Sequence, residues 1–87
     1  MVLRIEQIPN DSETIFMLIG RISSPEVQEL KAKIALEEKP VALDLEQVRL
    51  VNLDAVHFLA TAEKKGIELR NVPHYVRAWI LLEQERS

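Results

Sequence analysis

The chain contains no cysteine. That single absence excludes disulfides, thiolate zinc sites and thiol catalysis together. It has only two glycines, so a glycine-rich phosphate cradle is unavailable. No window approaches the roughly 18 consecutive apolar residues that mark a membrane span. The run Met1-Val2-Leu3-Arg4-Ile5-Glu6 alternates apolar and charged residues, unlike a signal peptide, and a cytoplasmic location is expected. Excess positive charge is also lacking. The net charge is −3, the eleven Lys and Arg are scattered, and Lys64-Lys65 is the only adjacent basic pair. This argues against a nucleic-acid binder. Repeats, linkers and low-complexity tracts are absent as well.

What is present is ordinary for a globular fold: 87 residues, 47% apolar and 29% charged. This is one small domain over 1–87. Without covalent staples its core must come from side-chain packing, so modest stability is expected.

The patterning predicts seven elements. Val2 to Ile8 alternates Leu3 and Ile5 against Arg4 and Glu6, a half-exposed strand. Pro9-Asn10-Asp11-Ser12 is a turn cluster. Thr14 to Ile19 is continuously apolar and fits a strand buried on both faces, ended by Gly20. Ser24-Pro25 reads as a helix start with Ser24 as the N-cap, and the helix runs to about Glu38 with Val27, Leu30 and Ile34 inward. Pro40 stops it. Val41 to Leu45 forms a third strand, and a short loop leads to a second helix from near Leu53 to Lys65, with Gly66 at its C-terminal cap. Ile67 to Arg70 is an edge strand. Asn71-Val72-Pro73 opens a last helix that places Tyr75, Val76, Trp79, Ile80 and Leu82 on its apolar surface and frays through Glu83 to Ser87. The order is β-β-α-β-α-β-α. It predicts an α/β fold with a four-stranded mixed sheet, a leading hairpin and parallel strands two to four. Helices should lie mainly on one face, with Arg4, Glu6, Glu68 and Arg70 on the other.

The stretch from Val41 to Leu59 is the most informative. It sets Asn52, Leu53 and Asp54 at a helix start just past a buried strand, a place suited to an anion or a phosphorylated hydroxyl. Here it carries no Ser or Thr and already bears a carboxylate. Asn52 is a good N-cap, and Asp54 in the first turn meets the positive end of the helix, roughly 0.3–1 kcal/mol at an exposed site. Capping alone accounts for both residues. His57 shares a helix face with Asp54, but no third ligand is nearby, so a surface histidine is the better reading and no metal or cofactor is expected. Asp44, in an otherwise apolar strand, either shapes the pocket around Asn52 and Asp54 or organises the following loop. Trp79 is expected to pack on the sheet.

Taken together, the chain resembles the STAS domain family, which includes bacterial anti-sigma factor antagonists. The likeness covers nearly the whole chain, from Val2 to about Leu82. It is carried by Leu18-Ile19-Gly20-Arg21-Ile22, Val41-Ala42-Leu43-Asp44-Leu45, Val48, Val51-Asn52, the run from Gly66 to Pro73, and Val76. Antagonists of this family typically read Asp-Ser-Ser-Gly or Asp-Thr-Ser-Gly where this chain has Asn52-Leu53-Asp54-Ala55. The second hydroxyl residue is the one an anti-sigma kinase phosphorylates, and its position is Asp54 here. The resemblance therefore implies a non-catalytic, protein-binding regulatory domain that lacks the phospho-acceptor. It implies a docking surface of Asn52, Leu53, Asp54, Ala55, His57 and Phe58, with Arg21, Ser23 and Ser24 beside it. The partner would be an anti-sigma factor or kinase-like protein, or a subunit of a complex. Two other functions remain open: a nucleotide- or small-ligand-sensing STAS domain, and the small STAS subunit of a transporter complex.

Overall fold

The structure is a computed structural model, and it describes residues 3–86. The elements are β1 (Arg4–Pro9), β2 (Thr14–Ile22), α1 (Ser24–Ala35), β3 (Val41–Val51), α2 (Leu53–Lys64), β4 (Glu68–Arg70) and α3 (His74–Arg86). Val2 and Ser87, the expected outer ends of the first strand and last helix, lie outside the described residues. The four strands form one mixed sheet in the order β1-β2-β3-β4. β1 pairs antiparallel with β2, and β2, β3 and β4 are mutually parallel. The α/β fold class and element order agree with the expectation.

β2 alternates instead of being buried on both faces. Thr14, Phe16, Leu18, Gly20 and Ile22 are buried, whereas Ile15, Met17 and Ile19 are half-buried. Phe16, Leu18 and Ile22 meet Val27 and Leu30 of α1, Val56 and Leu59 of α2, and Val76 and Ile80 of α3 in one core. On the second face Arg4 pairs with Glu6 at 2.8 Å, and Arg70 of β4 bridges Glu68 and Glu13. Arg70's guanidinium is held further toward the protonated form by hydrogen bonds to Glu68 and then Glu13. Glu68 is in turn held below the usual carboxylate range, chiefly by its bond from Arg70.

Two boundaries differ for one reason. Gly20 does not end β2, and the expected loop after Leu45 is strand: β3 continues to Val51. The pairing of β2 with β3 shifts register twice. Met17 faces Asp44 and Ile19 faces Gln47, then Gly20 faces Val48 and Arg21 faces Leu50. Each shift inserts one extra residue in β3, so Leu18 meets the pair Leu45-Glu46, and Arg49 has no opposite number. Such bulges are rare between parallel strands. Here they keep Leu45, Val48 and Val51 on the core face at a spacing of three, which alternation alone would not do. Gly20, at φ 111°, sits at the second shift, where a side-chain-bearing residue would be strained.

Each bulge has a satisfied backbone group. Asp44 Oδ1 accepts from the Glu46 N–H at 3.0 Å. The Tyr75 hydroxyl donates to the Arg49 carbonyl at 2.8 Å. Asp44 thus organises backbone two residues on, within the strand, and also accepts from Asn71 Nδ2 at 3.3 Å. It lies at the other half of β3 from Asn52 and does not shape a pocket there. β4 pairs only with Ala42, Leu43 and Asp44. Beyond them the edge of β3 is kinked by its bulges and capped by Tyr75, which blunts it against further strand pairing.

α3 packs against α2. Val76 and Ile80 are buried, but Tyr75, Leu81 and Leu82 are exposed and Trp79 is 38% exposed, so Trp79 stands outside the buried core. The α2–α3 contact is clamped by Arg77, whose Nη1 and Nη2 donate to the two oxygens of Glu63 at 2.8 and 3.0 Å. The Arg77 hydrogen bond is the main reason the Glu63 carboxyl lies below the usual range, with a smaller contribution from Gln84. A carboxyl lowered on folding contributes stability at pH values above its unfolded pKa, and that contribution is lost as pH falls through the folded pKa. Arg77→Gln is therefore expected to destabilise by about 1 kcal/mol near neutral pH. The difference from the parent should shrink in acid, as pH falls through the lowered Glu63 pKa. Urea unfolding at neutral and acid pH measures it, and an undiminished gap in acid would refute the assignment.

Candidate functional site

Two helix starts converge beside the C-terminal ends of β2 and β3. The sequence Ser23-Ser24-Pro25-Glu26 makes Ser23 the N-cap of α1 and not Ser24, and Pro25 takes the second helical position. The Ser23 N–H donates to Glu26 Oε1 at 3.0 Å, and its hydroxyl donates to the same oxygen. This is the reach-back of a capping box. The Ser23 hydroxyl is the main cause that holds the Glu26 carboxyl below its ordinary range, and Arg21 adds a weaker pull. α1 ends at Ala35, three residues before the expected Glu38. Glu37 instead accepts from the Thr14 hydroxyl at 2.7 Å, which draws the chain off the helix toward β2.

Moving the cap to Ser23 frees Ser24, and its hydroxyl donates to Asp54 Oδ2 on α2. The same hydroxyl oxygen accepts from Asn52 Nδ2 at 3.3 Å. Asn52 is the N-cap of α2 as expected: its Oδ1 accepts from the Ala55 N–H at 2.9 Å, and its own N–H donates to the Ile22 carbonyl at 3.2 Å. Ser24, Asn52 and Asp54 therefore form one hydrogen-bonded unit between two helix N-termini, where a carboxylate is favourably placed. At the other end of α2 the N–H groups of Gly66 and Ile67 donate to Glu63 and Ala62. Gly66 has φ 102°, as a left-handed cap requires. Asn52→Ala is expected to cost about 1 kcal/mol of stability, since it orphans the Ala55 N–H and breaks the link to Ser24. Urea unfolding reads this directly, and a change under about 0.3 kcal/mol would show that the cap is dispensable.

The remaining predicted residues divide. Leu53 is exposed on the first turn of α2, and Arg21 is exposed near the end of β2. Ala55 is fully buried, so it belongs to the core and presents no docking surface. Phe58 is largely buried. His57 is exposed, and its Nδ1 lies 3.2 Å from Glu83 Oε1 on α3. Asp54 turns to Ser24, so Asp54 and His57 are not brought together as a dyad. Among the described residues no group of three His, Asp or Glu side chains converges to hold a metal ion. None of the described helices is long and apolar enough to cross a membrane.

Between α1 and α2 the surface is hollowed. A recess of about 230 Å³ runs from Ser24 and Asp54 past Gln28 to Lys31 and Phe58. A second of about 430 Å³ shares Lys31, His57 and Phe58 and continues past Ile34 and Thr61 to Lys65 and Ile67. Sequence reasoning missed Gln28, Lys31, Thr61 and Lys65. Their helical spacing was visible, but only the fold lays these two helix faces side by side.

Compared with models of known protein families the chain has no match, and no curated protein matches it either.

Proposed function

We propose that this chain is a non-catalytic docking domain that works in the cytoplasm, STAS-like in organisation, whose working surface is the paired start of α1 and α2. The observation that carries this reading is the Ser24–Asp54 hydrogen bond. The position where antagonists of the resembled family bear their phosphorylated hydroxyl holds a carboxylate here, tied from the neighbouring helix. Positions 52 to 55 contain no hydroxyl. A fixed negative charge at a helix start, flanked by the exposed Leu53 and His57, suits a constant recognition surface better than a switch. Asp54 supplies one charge and two oxygens, whereas a phosphoserine carries about −1.5 to −2 and three acceptor oxygens, so its likeness to the phosphorylated state is partial. The same carboxylate repels phosphate, which disfavours the nucleotide-sensing alternative.

Affinity capture from the native host with the parent chain and with Asp54→Arg as baits tests the proposal. The parent should retain a defined protein partner, and Asp54→Arg should lose it while keeping a cooperative unfolding transition. Equal retention by both baits would overturn it. Thermal stabilisation by nucleotides at millimolar concentration would instead support the sensing reading.

A further inference from the structure

The recesses beside Phe58 join into one open groove along α1 and α2. Each helix has 12 residues, so the groove is roughly 18 Å long, about three helical turns. Its floor is apolar, built by Ile34, Phe58, Ala62 and Ile67, and the small Ala62 lets another backbone approach closely. Its rim is cationic in a chain whose net charge is −3. Lys31 stands on α1 and Lys65 at the C-terminal cap of α2, and neither ammonium has a hydrogen-bond or ion-pair partner among the described residues. The carboxylate at the groove's end, Asp54, is already engaged by Ser24.

We infer that this groove receives an amphipathic helix of a partner protein, with apolar side chains seated on Phe58 and Ile34 and acidic side chains toward Lys31 and Lys65. An open channel three turns long between two helices matches the helix-in-groove mode, in which anchors recur every three or four residues. Unpartnered ammonium groups from both walls complement acids on both flanks of such a helix, and this fixes register and speeds encounter. A strand is a poorer occupant, because the edge of β3 beyond its pairing with β4 is interrupted by bulges and the groove is walled by two helices. The inference rests on the docking reading and adds the chemistry of the partner.

The test titrates isotope-labelled full chain with two synthetic 14-residue helical peptides. Both carry the same leucine face, flanked by glutamate in one and by lysine in the other. The glutamate peptide should shift the backbone amides of Lys31, Ile34, Phe58, Thr61 and Lys65, and the lysine peptide should not. Lys31→Glu with Lys65→Glu should weaken the glutamate peptide about tenfold and favour the lysine peptide. Added salt should weaken the matched pair. Equal response to both peptides, or shifts confined to another face, would overturn the inference. So would groove shifts with decanoate but none with the glutamate peptide, which would assign the groove to a small amphiphile. The docking reading is separable from this outcome. A native partner lost by Asp54→Arg but kept by the double lysine variant refutes the groove assignment and leaves that reading standing.

Discussion

Leu59→Ala is expected to destabilise the fold by about 2–5 kcal/mol, the range for truncating a buried leucine. Leu59 is fully buried on the inner face of α2. Its helical neighbours Ala55, Ala60 and Ala62 are small and already buried, so little can collapse into the space left behind. A domain of this length has a total stability of roughly 4–13 kcal/mol, at about 0.05–0.15 kcal/mol per residue. The substitution therefore removes a large share of it, and a fraction of unfolded chain is expected at room temperature. α2 also touches the sheet, α1 and α3, so its loosening should unfold the domain as a unit. Leu53→Ala, on the exposed side of the same helix, should change stability by under about 0.5 kcal/mol. Urea unfolding of the two variants gives the contrast. Comparable losses in both would contradict the placement of the core.

Much of this architecture was legible because local signals agreed with the global fold. Alternation in Leu3 to Ile8, the Gly66 cap and the Asn52 cap each point to the element the structure contains. The central error has a physical origin. Two bulges space Leu45, Val48 and Val51 by three, and a period of three does not look like a strand. Nothing in the composition announces such a bulge; its supports, Asp44 and Tyr75, act from other positions. The cap of α1 was a different kind of miss. Ser23 and Glu26 carry the S-x-x-E signature, but Pro25 drew the cap to Ser24, since proline most often takes the first helical position. That one-residue shift matters to the site, because it sets the Ser24 hydroxyl free to reach Asp54. The groove was not legible, since it depends on α1 and α2 starting side by side. The exposed Trp79 was unreadable for a similar reason: an aromatic at helical spacing looks the same whether its helix lies on a sheet or flanks another helix.

Asp54→Ser is expected to turn a fixed surface into a switchable one. The serine hydroxyl would stand between the two helix starts, within reach of Ser24 and in the positive field of α2. Treated with ATP and an anti-sigma kinase from the same host, the variant should gain one phosphate, mapped by mass spectrometry to position 54. The parent should gain none between 52 and 55, because no acceptor exists there. Phosphorylation would add about −1.5 to −2 of charge to the neutral serine, more than the single charge of the parent's carboxylate, and set a tetrahedral group where a planar one fits. Partner capture should fall by at least tenfold, a change of about 1.4 kcal/mol in binding. The unphosphorylated variant should keep its partner more weakly than the parent, since it lacks the charge that Asp54 presents. Asn52, Leu53 and Ala55 still differ from the resembled family's motif, so slow phosphorylation is expected. If Asp54→Ala instead binds the partner more tightly than the parent, the native carboxylate acts as a standing imitation of the phosphorylated state. The domain would then be held in its released form, and Asp54 would weaken docking instead of supporting it.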